Sequence, residues 1–135
     1  MSSVFVDTNV FAYQFDVSEP IKRERAIAAL DSDRDFVIST QVMLELHSVL
    51  TRKLRPPVSP AKARSVLDRL AKLPVVTADA RLVCRAAATS ERHRLSIWDA
   101  MIVEAAAEAG CAELWSEDLA SRSVLNGVRV VNPFP

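Results

Sequence analysis

Five short apolar runs punctuate the chain: Val4 to Val6, Phe36 to Ile38, Val75 to Val76, Leu114 to Trp115 and Val128 to Val131. Most are continuous rather than alternating, the pattern of strands covered on both faces. Between them lie segments with helical spacing and readable starts. Ser18 with Pro20, and Ser59 with Pro60, put a proline in a first turn, where its missing N–H costs nothing. Ser96 precedes a helix over Ile97 to Ala109, which Gly110 ends where a left-handed residue is cheap. A short helix over Val10 to Phe15 follows the first run. Another follows the second, with an apolar stripe of Val42, Met43, Leu46, Val49 and Leu50. Alternating strands and helices predict an α/β fold, a three-layer α/β/α sandwich around a mostly parallel sheet of four to five strands. The Pro56 to Pro60 stretch is a break between helices, too short for a linker, so residues 1–135 read as a single domain.

Composition narrows the chemistry. Gly110 and Gly127 are the only glycines, so neither a G-x-G-x-x-G turn nor a P-loop exists to cradle a nucleotide. Cys84 and Cys111 are too few and too irregular for a disulfide framework or a zinc site. No apolar run approaches the roughly 18 residues of a membrane span, and the start lacks the pattern of a signal peptide. A cytoplasmic protein with no membrane partner is expected.

The 17 basic and 17 acidic residues balance, but they are segregated. Residues 1–51 carry 4 basic and 8 acidic side chains, residues 52–94 carry 11 and 3, residues 95–118 carry 0 and 6, and residues 119–135 carry 2 and 0. Such segregation predicts a basic face and an acidic site.

Four acids fall where an α/β sheet places its ligands, outside the carboxyl ends of its strands. Asp7 closes the first run, where a buried carboxylate needs a partner, although it also suits the cap of the following helix. Glu45 sits at the rim of its helix's apolar stripe. With Ile97 at 0°, Asp99 falls near ~200° and Glu104 and Glu108 near ~340° and ~20°. The two glutamates therefore mark a solvated face and Asp99 points inward, with a capping box on Ser96 as the plainer reading. Asp118 lies just past the fourth run, in a position that also suits a turn. A helix entering a parallel strand runs antiparallel to it, so all four acids can converge at one end of the sheet. Clustered carboxylates repel unless divalent cations lie between them, and oxygen-only ligation selects Mg2+ or Mn2+. Phosphodiester hydrolysis is the natural chemistry of such a site.

The D-T-N-V at 7–10, S-T-Q-V-M-L-E at 39–45, W-D-A at 98–100 and L-W-S-E-D at 114–118 resemble, in order and spacing, the motifs of PIN-domain ribonucleases, particularly VapC-type toxins. The resemblance runs over the whole chain, including the closing V-R-V-V-N-P-F at 128–134. It implies a PIN-like α/β/α sandwich and a Mg2+- or Mn2+-dependent endoribonuclease acting as the toxin of a toxin–antitoxin pair. It makes Asp7, Glu45, Asp99 and Asp118 the metal-binding quartet, Ser116 the hydroxyl that holds the first aspartate, and Asn9 a polar neighbour. It also implies an RNA substrate, a cognate VapB-type antitoxin and a homodimer. Glu117 competes with Asp118 for the fourth place, and the S-x-D register favours Asp118. After Asp118 the chain reads Leu-Ala-Ser-Arg-Ser-Val, which offers no fifth acidic ligand.

The basic segment then becomes a candidate RNA surface, with Arg52, Lys53 and Arg55 nearest the Glu45 helix. Arg64 and Arg85 need no more than solvation on amphipathic helices. His47 and His93 read as surface or helix-end residues, Cys84 and Cys111 as small buried hydrophobes, and Trp98 and Trp115 as core. Two other readings compete. An aspartyl phosphatase with Asp7 as nucleophile is disfavoured because Asn9 stands where a D-x-D pattern needs an acid. A catalytically silent RNA- or protein-binding module would not need the intact quartet.

Overall fold

The computed structural model describes residues 2–119 and 124–135. Residues 120–123, within the stretch after Asp118 that offered no fifth ligand, lie outside the described residues.

Strand β1 (Ser3–Val6) is followed by a short helix α1 (Thr8–Ala12), a 3-10 turn over Tyr13–Phe15 and helix α2 (Pro20–Leu30). Strand β2 (Asp35–Ser39) leads directly into α3 (Thr40–Ser48). Helix α4 (Pro60–Leu70), β3 (Val75–Val76), α5 (Ala80–His93), α6 (Ile97–Glu108), β4 (Glu113–Trp115), β5 (Val124–Leu125) and β6 (Val128–Val131) complete the order. The sheet runs β3-β2-β1-β4-β6-β5, with every pairing parallel except β5 with β6. Val4, Phe5 and Val6 are all fully buried, so both faces of the central strand are covered, which is why its sequence does not alternate. Helix α6 packs on β2, β4 and β6 with α5 laid over it, while α1 packs on α2 and α3, and α3 on β2 and α4.

The α/β architecture matches the expectation, with one strand more. The added β5 forms a hairpin with β6 through Asn126 and Gly127, whose φ values are 50° and 81°. Asn-Gly is the residue pair that a tight turn with both central residues left-handed selects, so the hairpin had a sequence signal.

Local caps explain the helix boundaries. Ser59 and Ser96 accept from the backbone N–H groups of Lys62 and Asp99. Helix α6 ends with the Gly110 N–H on the Ala107 carbonyl and the Cys111 N–H on that of Ala106, a Schellman closure with Gly110 at φ 68°. Ser18 departs from expectation. It bonds to the Asp16 carboxylate through both its N–H and its hydroxyl, and Glu19 precedes Pro20 as the cap of α2.

Three further differences share a cause, since helix faces follow what packs on them. Cys84 is exposed because α5 buries Leu82, Ala86 and Thr89, on another face of the helix. Trp98 is 65% exposed, whereas Trp115 is buried. Glu104 is only 9% exposed, because α5 and the β5–β6 turn close over the face expected to be solvated. Its carboxylate accepts from the Thr89 hydroxyl and from Asn126 Nδ2, and Arg85 Nε stands 3.7 Å away.

Candidate active site

The strand order reverses at β1, which lies between β2 and β4. A cleft opens there beyond the carboxyl ends of the parallel strands. Asp7 is the residue after β1 and Ser116 the residue after β4. The two side chains meet, the Ser116 hydroxyl donating to Asp7 Oδ2 at 2.9 Å. The Thr8 N–H donates to Asp7 Oδ1 at 2.7 Å, so Asp7 also caps α1. The capping role and a role in the site coexist, because each oxygen retains a lone pair.

Asp7 is 8% exposed. Burial pushes its carboxyl up to about 6 against the lowering effect of the Thr8 and Ser116 hydrogen bonds, and the negative charges of Glu45 and Asp118 raise it further. The Asp118 carboxyl is raised too, first by burial and then by the charges of Asp99 and Glu117.

A cavity of about 380 Å³ gathers the four acids, with Asp7, Glu45, Asp99 and Asp118 all on its wall. Three of them, Asp7, Glu45 and Asp118, have their own support. The Thr8 hydroxyl donates to Glu45 Oε1 at 3.1 Å, and Gln41 Nε2 stands 3.4 Å from the same oxygen and 3.1 Å from the Trp98 carbonyl. Asn9 Nδ2 donates to Asp118 Oδ2 at 3.3 Å. The Ser96 hydroxyl accepts from the Asp99 N–H, and no donor among the described residues reaches the Asp99 carboxylate. None of the four acids is in an ion pair among the described residues.

Glu117 faces elsewhere. Tyr13 donates to its Oε1 and Lys22 to its Oε2, both at 2.7 Å, and the Lys22 ammonium also lies 5.0 Å from the centre of the Tyr13 ring. Burial pushes the Glu117 carboxyl up, but Lys22 and Tyr13 hold it below its ordinary value. Between the two adjacent acids, Asp118 lines the cavity and Glu117 is tied to α2 and to the end of α1.

Of the basic candidates, Lys53 lines the cavity, while Arg52 and Arg55 do not. Sequence reasoning missed Thr8, Gln41, Tyr13 and Lys22. Thr8 and Gln41 stand inside the quoted motifs, but nothing in a linear sequence indicates that Tyr13 and Lys22 reach residue 117.

The donor set fits a hard divalent cation: carboxylate oxygens, mutually repelling, around an aspartate that burial first, and then the charges of Glu45 and Asp118, discourage from ionising. Among the described residues no three acidic, His or Cys side chains are drawn tightly enough to hold an ion as they stand. Uncompensated carboxylates keep apart for the same electrostatic reason.

Comparison with known proteins agrees with this geometry. The family model described as PIN domain matches residues 4–124. No match is found among curated proteins. Among solved structures, the chain is similar to VapC20 of Mycobacterium tuberculosis, described as a sarcin-ricin loop cleaving toxin, at 22% identity and a TM-score of 0.74, over 94% of this chain and 99% of that one. A toxin–antitoxin complex from Klebsiella pneumoniae matches at 19% identity and 0.70, over 98% of each chain. VapBC2 from Rickettsia felis, bound to a fragment of its promoter DNA, matches at 18% and 0.63, over 96% and 97%.

Proposed function

The chain belongs to the PIN-domain family, and on that premise we propose that it is a Mg2+- or Mn2+-dependent endoribonuclease acting as the toxin of a toxin–antitoxin pair. The observation that carries the reading is the convergence of Asp7, Glu45, Asp99 and Asp118, from separate segments, on one cavity at the carboxyl ends of β1 and β4. Similarity to toxins and toxin–antitoxin complexes supports the biological assignment.

These four carboxylates would hold the cation. When bound, it supplies Lewis acidity toward a phosphate oxygen and toward the attacking water. The chain's own residues fix the frame. Ser116 and the Thr8 N–H anchor Asp7, the Thr8 hydroxyl and Gln41 orient Glu45, and Asn9 orients Asp118. Supports of this kind set how well a ligand group is aimed and typically govern affinity about 10–100-fold.

The partners of this reading are RNA and a cognate VapB-type antitoxin acting on a cytoplasmic homodimer. An antitoxin arginine entering the cavity would offset the carboxylates through paired, charge-assisted hydrogen bonds.

The test is cleavage of total RNA with Mg2+, Mn2+ or EDTA, using Asp7→Asn and Asp99→Asn as controls. Cleavage should need the metal and vanish in both variants. Retained cleavage by both, or cleavage in EDTA, overturns the reading.

A further inference from the structure

The helix carrying Glu45 does not end as an α-helix. The Leu54 N–H donates to the Val49 carbonyl at 3.1 Å, closing an i to i+5 turn where an α-helix closes i to i+4. Residues Val49–Lys53 thus form a single π-turn.

That turn changes which base faces the acids. Arg52 is seven residues beyond Glu45. An uninterrupted α-helix would carry it ~700° round, to within ~20° of the Glu45 face, and would leave Lys53 ~80° away. A π-turn takes in about one residue more than an α-turn, so the same face is reached at Lys53. The cavity wall follows this shifted register, with Glu45, Ser48, Val49 and Lys53 along it.

The neighbouring bases are disposed differently. Arg55 Nη1 donates to the carbonyls of Arg52 and Leu54, both at 2.9 Å, which commits its guanidinium to closing the helix end. Lys53 is exposed and makes no hydrogen bond or ion pair among the described residues. Of the described Lys and Arg side chains, it alone lines the cavity.

We propose that Lys53, delivered by the π-turn, grips the scissile phosphate of an RNA strand opposite the four carboxylates. This deepens the ribonuclease reading and rests on it. The ammonium is a compact point charge with three donors, suited to a non-bridging phosphate oxygen, a group that every nucleotide of a strand presents alike. As negative charge builds on those oxygens in the transition state the contact strengthens, so Lys53 acts on the rate as well as on binding.

Single-turnover cleavage in Mn2+ by Lys53→Met, Lys53→Arg and Arg52→Met tests this, alongside Mn2+ affinity and RNA binding across a salt series in Ca2+. Lys53→Met should lower the cleavage rate about 10²–10³-fold. It should also lower the salt slope of RNA binding by about 0.7, and leave Mn2+ binding at least as tight as in the wild type. Lys53→Arg should recover part of the rate, and Arg52→Met should stay within about threefold of wild type. A wild-type rate and salt slope in Lys53→Met, or a loss that falls on Arg52→Met instead, overturns the assignment while sparing the ribonuclease reading. A wild-type protein that cleaves no RNA in either metal overturns both.

Discussion

The Ser116 hydroxyl holds Asp7 Oδ2 at 2.9 Å, across the junction between β1 and β4, and its oxygen also accepts from the Leu119 N–H. The bond keeps a buried carboxylate aimed at the cavity, yet the carboxyl still titrates at about 6. In the unfolded chain it titrates near 3.8. A raised acid contributes its stability below the unfolded value and loses it as pH rises through the folded one.

Asp7 should therefore weaken the metal-free fold progressively between about pH 4 and 6, by at most ~3 kcal/mol at neutral pH. Asp7→Asn keeps an oxygen for the Thr8 N–H and can donate to Ser116 Oγ, so it removes the charge and leaves the frame. Urea denaturation in EDTA should find this variant more stable than wild type at pH 7.5, with the gap closing towards pH 4. The variant should lose cleavage at the same time, the trade-off expected of a destabilised functional site. A variant less stable than wild type at pH 7.5 contradicts the electrostatic account.

Glu117 and Asp118 are adjacent, and the structure separates their tasks. Glu117→Gln keeps an oxygen for the Lys22 ammonium and can donate its amide N–H to the Tyr13 hydroxyl, away from the cavity, so RNA cleavage should stay within about fivefold of wild type. Asp118→Asn removes a charge from the cavity and should cost at least ~10-fold in Mn2+ affinity or rate. Measuring both in one assay decides the matter, and a larger loss in Glu117→Gln would reverse the assignment.

The sequence made the parallel sheet legible because buried strands such as Val4-Phe5-Val6 cannot alternate. It also made the acids legible, because Asp7 and Asp118 fall just past strands and Asp99 lies opposite Glu108 on its helix. Periodicity failed where a second layer covers a helix's polar side, as with Glu104, but held along the Val42, Met43, Leu46, Val49 and Leu50 stripe, although it carried no sign of the π-turn over Val49–Lys53. It also failed at Trp98, whose apolar character suggested core although its position in the first turn of α6 leaves it at the rim of the cavity. The Lys22–Glu117 pair joins residues 95 apart, and local pattern holds no record of that distance.

Glu104 has the makings of a stability determinant remote from the cavity. Its carboxylate joins α6 to Thr89 on α5 and to Asn126 in the β5–β6 turn. Glu104→Ala takes the acceptor from the Thr89 hydroxyl, leaves Asn126 Nδ2 only its 3.2 Å bond to Thr89 Oγ1, and removes the ion-pair partner of the buried Arg85 Nε, which has no hydrogen-bond partner among the described residues. The expected cost is about 3 kcal/mol in urea denaturation. Thr89→Val should cost ~1–2 kcal/mol, and the double variant should lose less than the sum, since the two share one network. Strict additivity would show that the network is not coupled.

The two tryptophans give the site a built-in reporter. Trp115 is buried, with its indole N–H on Glu113 Oε1 and its ring edge-on to Phe36. Trp98 is exposed, borders the same cavity as the carboxylates and directly precedes Asp99. Its emission should be red-shifted relative to that of Trp115, and paramagnetic Mn2+ held by the carboxylates should quench it selectively. Trp98→Phe should remove the quenched component, leaving a blue-shifted emission that Mn2+ barely alters. Asp99→Asn should keep the red-shifted component but move its quenching to higher Mn2+ concentration. Mg2+, a diamagnetic competitor for the same oxygens, should reverse the quenching in wild type. Quenching that persists in Trp98→Phe, or that Mg2+ fails to reverse, would place the ion away from these four acids.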